Sequence, residues 1–185
     1  MGSILEGYRA LDLTDTKGYI CGKIIAAMGV ETIKIEPPQG DPGRKLSLSK
    51  GIESKSELNP YWIIHNTNKL GITLNLQKER GRELFRRLIK KSDYLLESMD
   101  PGHLDSLGLG YKDLRKVNPG LIMTSISIFG QQGPYSRYKG GELIGSAMGG
   151  ALITNGYEDR PPVKEALDAN LFLANTAAVR CSVLG

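Results

Sequence analysis

Asp168 stands in PPVKEALDANLFLANTAAV (161–179), a proline turn followed by residues at helical spacing. A carboxylate at a helix start can accept backbone N–H bonds, which stabilises by about 1 kcal/mol. The same end of the helix dipole favours the ionised form that a nucleophile needs. Asp168 is therefore a helix cap or a nucleophile, and its position does not choose between them. A second stretch, SISIFGQQGPYSRYKGG (125–141), joins backbone freedom to Arg137 and Lys139. Such a loop after a strand lets amide groups approach an anionic or carbonyl oxygen. A plain connecting loop is the alternative.

Other chemistries lack their motifs. His65 and His103 are isolated, with no metal-ligand spacing around them. There is no GxSxG elbow. Cys21 and Cys181 are far apart and belong to no CxxC pair, as expected of thiols in a cytoplasmic protein. Gly18 and Gly22 form no GxGxxG, although Glu36 ends a strand where a ribose-binding acid would sit. The basic stretch 78–92 carries Glu79 and Glu83 one turn from Arg82, Arg86 and Arg87, which reads as a solvated helix face. With few aromatics between its cations, nucleic acid is not an expected partner. The net charge of +4 suits an anionic small molecule as well as simple solubility. MGSILEGYRALDL lacks a signal-peptide pattern, and Glu6 replaces the Ser or Thr of a myristoylation start. No apolar run approaches the ~18 residues of a membrane span, so no membrane partner is expected.

The elements that must position these residues alternate. Residues 8–14 read as strand, 19–28 as helix ended by Gly29, and 31–36 (ETIKIE) as strand, a βαβ unit. Residues 37–59 read as loop, and 61–66 are ambiguous. Strand (70–76), amphipathic helix (78–92), strand (94–97), two short helical turns (104–107, 111–117) and strand (121–127) follow. After the glycine-rich loop comes a helical stretch, 142–153. The pattern predicts an α/β domain with a mostly parallel sheet, and 185 residues at 40% hydrophobic supply one core. The chain stops within an apolar helical stretch at CSVLG, which leads us to expect a longer parent protein.

The order of motifs is specific. LDLT (11–14), GVETIKIEPPQGDPGR (29–44), NTNKLGITLNL (66–76) and GRELFRRLIKKSDYLLE (81–97) are followed by PGHLDSLGLGYKDLRKVNPGLIMTSIS (101–127). FGQQGPY (129–135) and AMGGALITNG with RPPV (147–163) complete the series. Together they resemble the family III CoA-transferases, the group of formyl-CoA transferase, the carnitine CoA-transferases and α-methylacyl-CoA racemase. The resemblance implies that residues 1–185 form a CoA-binding, Rossmann-like domain, truncated before a small domain and a returning C-terminal segment. It also implies an interlocked dimer for the full-length protein, as a homodimer or with a homologous subunit.

The implied activity is transfer of CoA from an acyl-CoA to a carboxylic acid through aspartyl anhydride and aspartyl thioester intermediates. CoA is a substrate, and no cofactor is implied. The implied CoA contacts are Arg44 in GDPGR, Lys69 in NTNK, and Gly130 and Lys139 in the loop after the 121–127 strand. A gapless alignment from Pro161-Pro162 puts the family nucleophile on Leu171; a three-residue shift puts it on Asp168. A non-catalytic CoA-binding subunit is the alternative, since some members work as unequal pairs. The sequence departs from the family at Ser98-Met99 (usually Asn-Phe), Ser106 (often Arg), Leu70 (often basic) and Gly141. The racemases use a histidine at the last position, so racemization is disfavoured.

Overall fold

A computed structural model describes residues 2–46, 59–149 and 159–161. Among the described residues five strands form one sheet: β1 (Arg9–Leu13), β2 (Glu31–Glu36), β3 (Lys69–Thr73), β4 (Tyr94–Glu97) and β5 (Ile122–Ser125). Their order is β3-β2-β1-β4-β5, and every pairing is parallel. The chain steps outward from β1 to β3, then crosses back to β4 and β5. Ligands of open α/β sheets bind outside the strand ends at such a reversal, which here separates β1 from β4.

The helices are α1 (Tyr19–Ala27), α2 (Pro60–Asn66), α3 (Glu79–Ile89), α4 (His103–Ser106), α5 (Tyr111–Val117) and α6 (Glu142–Met148). Alternation along β1 and β2 assigns their side chains to opposite faces. Leu11, Leu13 and Ile35 meet Phe85 and Ile89 of α3 and Leu114 of α5. On the other face Ala10 and Leu96 meet Cys21 and Ile25 of α1. The register sets Leu11 beside Ile33, Ile33 beside Leu70, and Asp12 beside Lys34. Asp12 and Lys34 therefore share the α1 face of strands that are buried on both sides.

The segment left ambiguous at 61–66 is α2. Its start is fixed by Asn59, whose side chain accepts the Tyr61 N–H at 3.0 Å, and by Pro60 in the first turn. Tyr61 and Trp62 then pack with Tyr19 of α1. His65 is buried, with Nδ1 2.8 Å from the Tyr61 carbonyl oxygen, a structural role for one of the two histidines. Within the 37–59 loop, Pro42–Lys45 forms a 3-10 turn. Residues 150–153 of the expected last helix lie outside the described residues. As expected for a solvated face, Glu79 pairs with Arg82 and Arg86 on α3. Strand β3 is an edge, and Leu70 and Ile72 on it are exposed. Among the described residues no helix is long and apolar enough to cross a membrane.

One close approach fixes how α3 enters the sheet. A Cβ on Gly81 would sit 1.8 Å from the Asn75 carbonyl oxygen. Gly-to-Ala changes in helices ordinarily stabilise by about 1 kcal/mol. Here the sign reverses: Gly81→Ala is expected to destabilise by about 1–3 kcal/mol through overpacking. Urea unfolding of the variant and the parent checks this.

Candidate functional site

A cleft of about 340 Å³ opens at the carboxyl ends of the strands. Thr14 and Asp15 after β1, Glu36 at the end of β2 and Asp41 after it, Asn75 after β3 and Ser98 after β4 line it. The Asp15 N–H donates to Ser98 Oγ at 2.7 Å, and the Ser98 hydroxyl donates to Asp15 Oδ1 at 2.7 Å. This reciprocal pair joins the ends of β1 and β4 across the reversal. Ser98, noted in the sequence only as a departure, therefore ties the floor of the cleft together.

Among the described residues the cleft has three carboxylates, and each faces a cation. Lys17 Nζ lies 2.7 Å from Asp15 Oδ2. Arg44 grips Glu36 with Nε at 2.6 Å and Nη2 at 2.7 Å. Lys34 Nζ lies 3.2 Å from Asp41 Oδ2. Burial pushes the Glu36 carboxyl up, but the Arg44 bonds, the Asp41 amide and the nearby cations outweigh it and hold it below the usual range. Arg44, an expected CoA contact, spends two of its five donors on Glu36. Its side chain keeps about a third of its exposure (34%), and its guanidinium lies 4.2 Å from the Trp62 ring centroid.

Lys69, a second expected CoA contact, lies in the interior. It opens β3, at the amino end of the strand, and its side chain is 1% exposed. Nζ reaches Asp12 Oδ2 at 2.8 Å, the Tyr19 carbonyl oxygen at 2.9 Å and Asn66 Oδ1 at 3.1 Å. A Cβ on Gly22 would fall 2.3 Å from Asp12 Oδ2, so glycine lets α1 lie directly on this pair. Burial pushes the Asp12 carboxyl up, yet Lys34 and Lys69 together bring it below the usual range. Lys69 has one carboxylate against both burial and the charge of Lys34, and its ammonium is held below the lysine range. In this structure the lysine is a buried counter-ion of Asp12.

Gly130 and Lys139 lie beyond β5, at the opposite side of the sheet from β3. Both are exposed, and Gly130 has φ +77°, a left-handed conformation that glycine adopts without strain. Phe129, Tyr135 and Tyr138 form a chain of ring contacts within that loop. Asp168 and Leu171 lie outside the described residues, as does Cys181.

Sequence reasoning passed over Asp12, Lys34, Asp41 and Tyr19. A signal was present for two of them. RALDL and ETIKIE alternate, so once β1 and β2 are central in a parallel sheet, Asp12 and Lys34 must be buried and need partners.

This topology, with its cleft at the reversal, has known counterparts. The model of CoA-transferase family III matches residues 5–180. The chain belongs to CoA-transferase family III. Succinyl-CoA–D-citramalate CoA-transferase of Chloroflexus aurantiacus is 39% identical over 94% of this chain and 43% of its own. Formyl-CoA:oxalate CoA-transferase of Streptomyces coelicolor is 37% identical over 86% of this chain and 38% of its own. Subunit BbsE of the Thauera aromatica succinyl-CoA:(R)-benzylsuccinate CoA-transferase is 35% identical over 89% of this chain and 40% of its own. The crystal structure of a CAIB/BAIF family protein from Brucella suis superposes with a TM-score of 0.84 and 31% identity. That superposition covers 99% of this chain and 49% of the other. This family III chain thus spans about two fifths of the length of these curated relatives.

Removing one member of a buried ion pair strands the other. Lys69→Met is expected to cost about 3 kcal/mol, with the loss moderated by Lys34 near Asp12. Adding Asp12→Asn should recover part of that loss, which a double-mutant cycle by chemical denaturation measures. Asp12 and Glu36 both titrate lower in the folded state than in the unfolded one. The stability they lend is therefore complete above the unfolded range, about pH 4, and drains as the pH falls through the lower folded values. Thermal melts between neutral pH and pH 3 check this, and Glu36→Gln should flatten the acid limb.

Glu97, at the end of β4, is the opposite case. Burial raises it above the usual range despite bonds from Ser125 and the Met99 amide. Its ionised form costs stability at neutral pH and its neutral form does not. Glu97→Gln is expected to raise the melting temperature at pH 7, with the gain shrinking towards pH 4.

Proposed function

We propose that this chain is the CoA-binding part of a CoA-transferase that moves CoA from an acyl-CoA to a carboxylic acid. The observation that carries the reading is the family match over residues 5–180. The parallel sheet with a polar cleft at its reversal supports it. In this reading an aspartate carboxylate attacks the thioester carbonyl and expels CoA thiolate, leaving an acyl–aspartyl anhydride. The thiolate attacks the aspartyl carbonyl, which releases the donor acid and forms an aspartyl-CoA thioester. The acceptor carboxylate attacks that thioester, and the freed thiolate then attacks the acceptor's acyl carbon, restoring the aspartate. Each addition develops an oxyanion that needs amide donors.

Asp168 is the proposed nucleophile. The loop holding Gly130 and Lys139 is proposed to offer amides and a cation. Arg44 is proposed as a phosphate contact, supported by its exposed edge and the donors it retains beside Glu36. Lys69 takes part only through Asp12. A second reading has its own support in the match to BbsE, one subunit of its enzyme. In that reading this chain binds CoA and a homologous subunit supplies the nucleophile, in keeping with Leu171 at the gapless family position.

Asp168→Ala in the full-length protein should abolish transfer, and acyl-CoA should no longer yield an aspartyl thioester that hydroxylamine can trap. Full activity in that variant removes Asp168 as nucleophile. Activity that appears only when a homologous subunit is added selects the second reading. Arg44→Ala should raise KM for the CoA substrate by about 10–100-fold, the loss of a charge-assisted contact, with a smaller change in kcat. Steady-state kinetics measures both.

A further inference from the structure

We infer that Lys34 is a positioning residue, and that through Asp41 it sets where Arg44 sits against Trp62. Lys34 projects from β2, a strand paired on both sides, and its side chain is 3% exposed. Its ammonium reaches Asp41 Oδ2 and donates to the Thr14 carbonyl oxygen. Asp41 Oδ1 accepts the Gly43 N–H at 2.8 Å and the Tyr19 hydroxyl. Asp41 also governs Arg44 from two directions. Its carbonyl oxygen accepts the Arg44 N–H at 3.1 Å, and its own N–H donates at 3.2 Å to Glu36 Oε2. Glu36 in turn holds the guanidinium. Both the backbone and the head group of Arg44 thus lead back to one aspartate.

The turn has little freedom to compensate. A Cβ on Gly43 would lie 2.3 Å from the Tyr19 hydroxyl oxygen. From the other side Asn59 Nδ2 donates to the carbonyl oxygens of Gly43 at 3.2 Å and Arg44 at 3.0 Å. Asp41 cannot shift without leaving a buried ammonium poorly paired, because Asp12 is 3.9 Å from Lys34 and already holds Lys69. What the ion pair adds is a single permitted geometry for the turn.

The geometry stands by itself; its weight for catalysis rests on the reading of Arg44 as a phosphate contact. The test uses full-length protein labelled with 5-fluorotryptophan, the Trp62 resonance being assigned by its loss in Trp62→Phe. Lys34→Met/Asp41→Asn removes both charges together. Its Trp62 resonance should move most of the way to the position seen in Arg44→Ala, and its affinity for CoA should fall about tenfold. Ile89→Val, which loosens the core on the other face of the sheet, should leave the resonance and the affinity unchanged. If the double variant does not fold, Lys34→Gln, which removes the charge facing Asp41 and leaves Tyr19 and Trp62 unaltered, decides by the same resonance. A wild-type resonance position in the variant that decides overturns the inference. If the unaltered protein binds no CoA, the proposed function falls, while the fluorine comparison still decides this point.

Discussion

Two lysines and two aspartates share the space between the sheet and α1, and much of the fold is arranged around keeping them paired. Asp12 sits on the central strand, Lys34 on its neighbour and Lys69 at the start of the edge strand, while Asp41 comes from the loop that follows β2. Their charges cancel as a set. α1 reaches them because Gly22 has no side chain. Tyr19 closes the group from the helix side, and burial together with Asp41 raises its hydroxyl far above the usual phenol range. Charge in a dry interior is tolerable only where each group finds its partner, so a displacement of one element is felt by the others.

The two faces of the sheet consequently hold by different means. Beneath α3 and α5 the contacts are aliphatic and aromatic, and they tolerate small shifts of packing. Beneath α1 and α2 the contacts near the strand ends are ionic and directional. The cleft belongs to the second kind of environment: Asp41 and Glu36 line it, and their partners Lys34 and Arg44 are held by this network. A ligand at the reversal would meet groups whose geometry is set by the interior. Such support from rigid elements is what a binding site needs if its own contacts are to be reproducible.

The strands were legible where alternation is strong and both neighbours are strands. ETIKIE and YLLE read to the residue, and the long amphipathic stretch of α3 was evident from its single apolar stripe. α2 was not, because its apolar residues run together as YWII without a separate polar face and its start depends on Asn59 and on aromatic packing with Tyr19. β3 begins one residue before the expected run because Lys69 belongs to the strand and points inward. That lysine also shows why the site was harder to read than the fold. A motif places a cation in the chain, but only the register tells whether it faces solvent or a buried aspartate. Arg44 was found by motif, whereas the groups behind it, Glu36, Asp41 and Lys34, are joined by a turn and by burial that no local pattern announces.

The central place of β1 also bears on how the chain emerges from the ribosome. One edge of β1 finds β2 almost at once, but its other edge pairs with β4, whose residues are made roughly sixty positions later. At about 5–20 residues per second, that delay is about 3–12 seconds of synthesis. For most of it Leu11 and Leu13 lack the cover of α3, and throughout it the backbone edge meant for Tyr94–Glu97 stays open. The central strand β1 is thus sealed on one side well before the other.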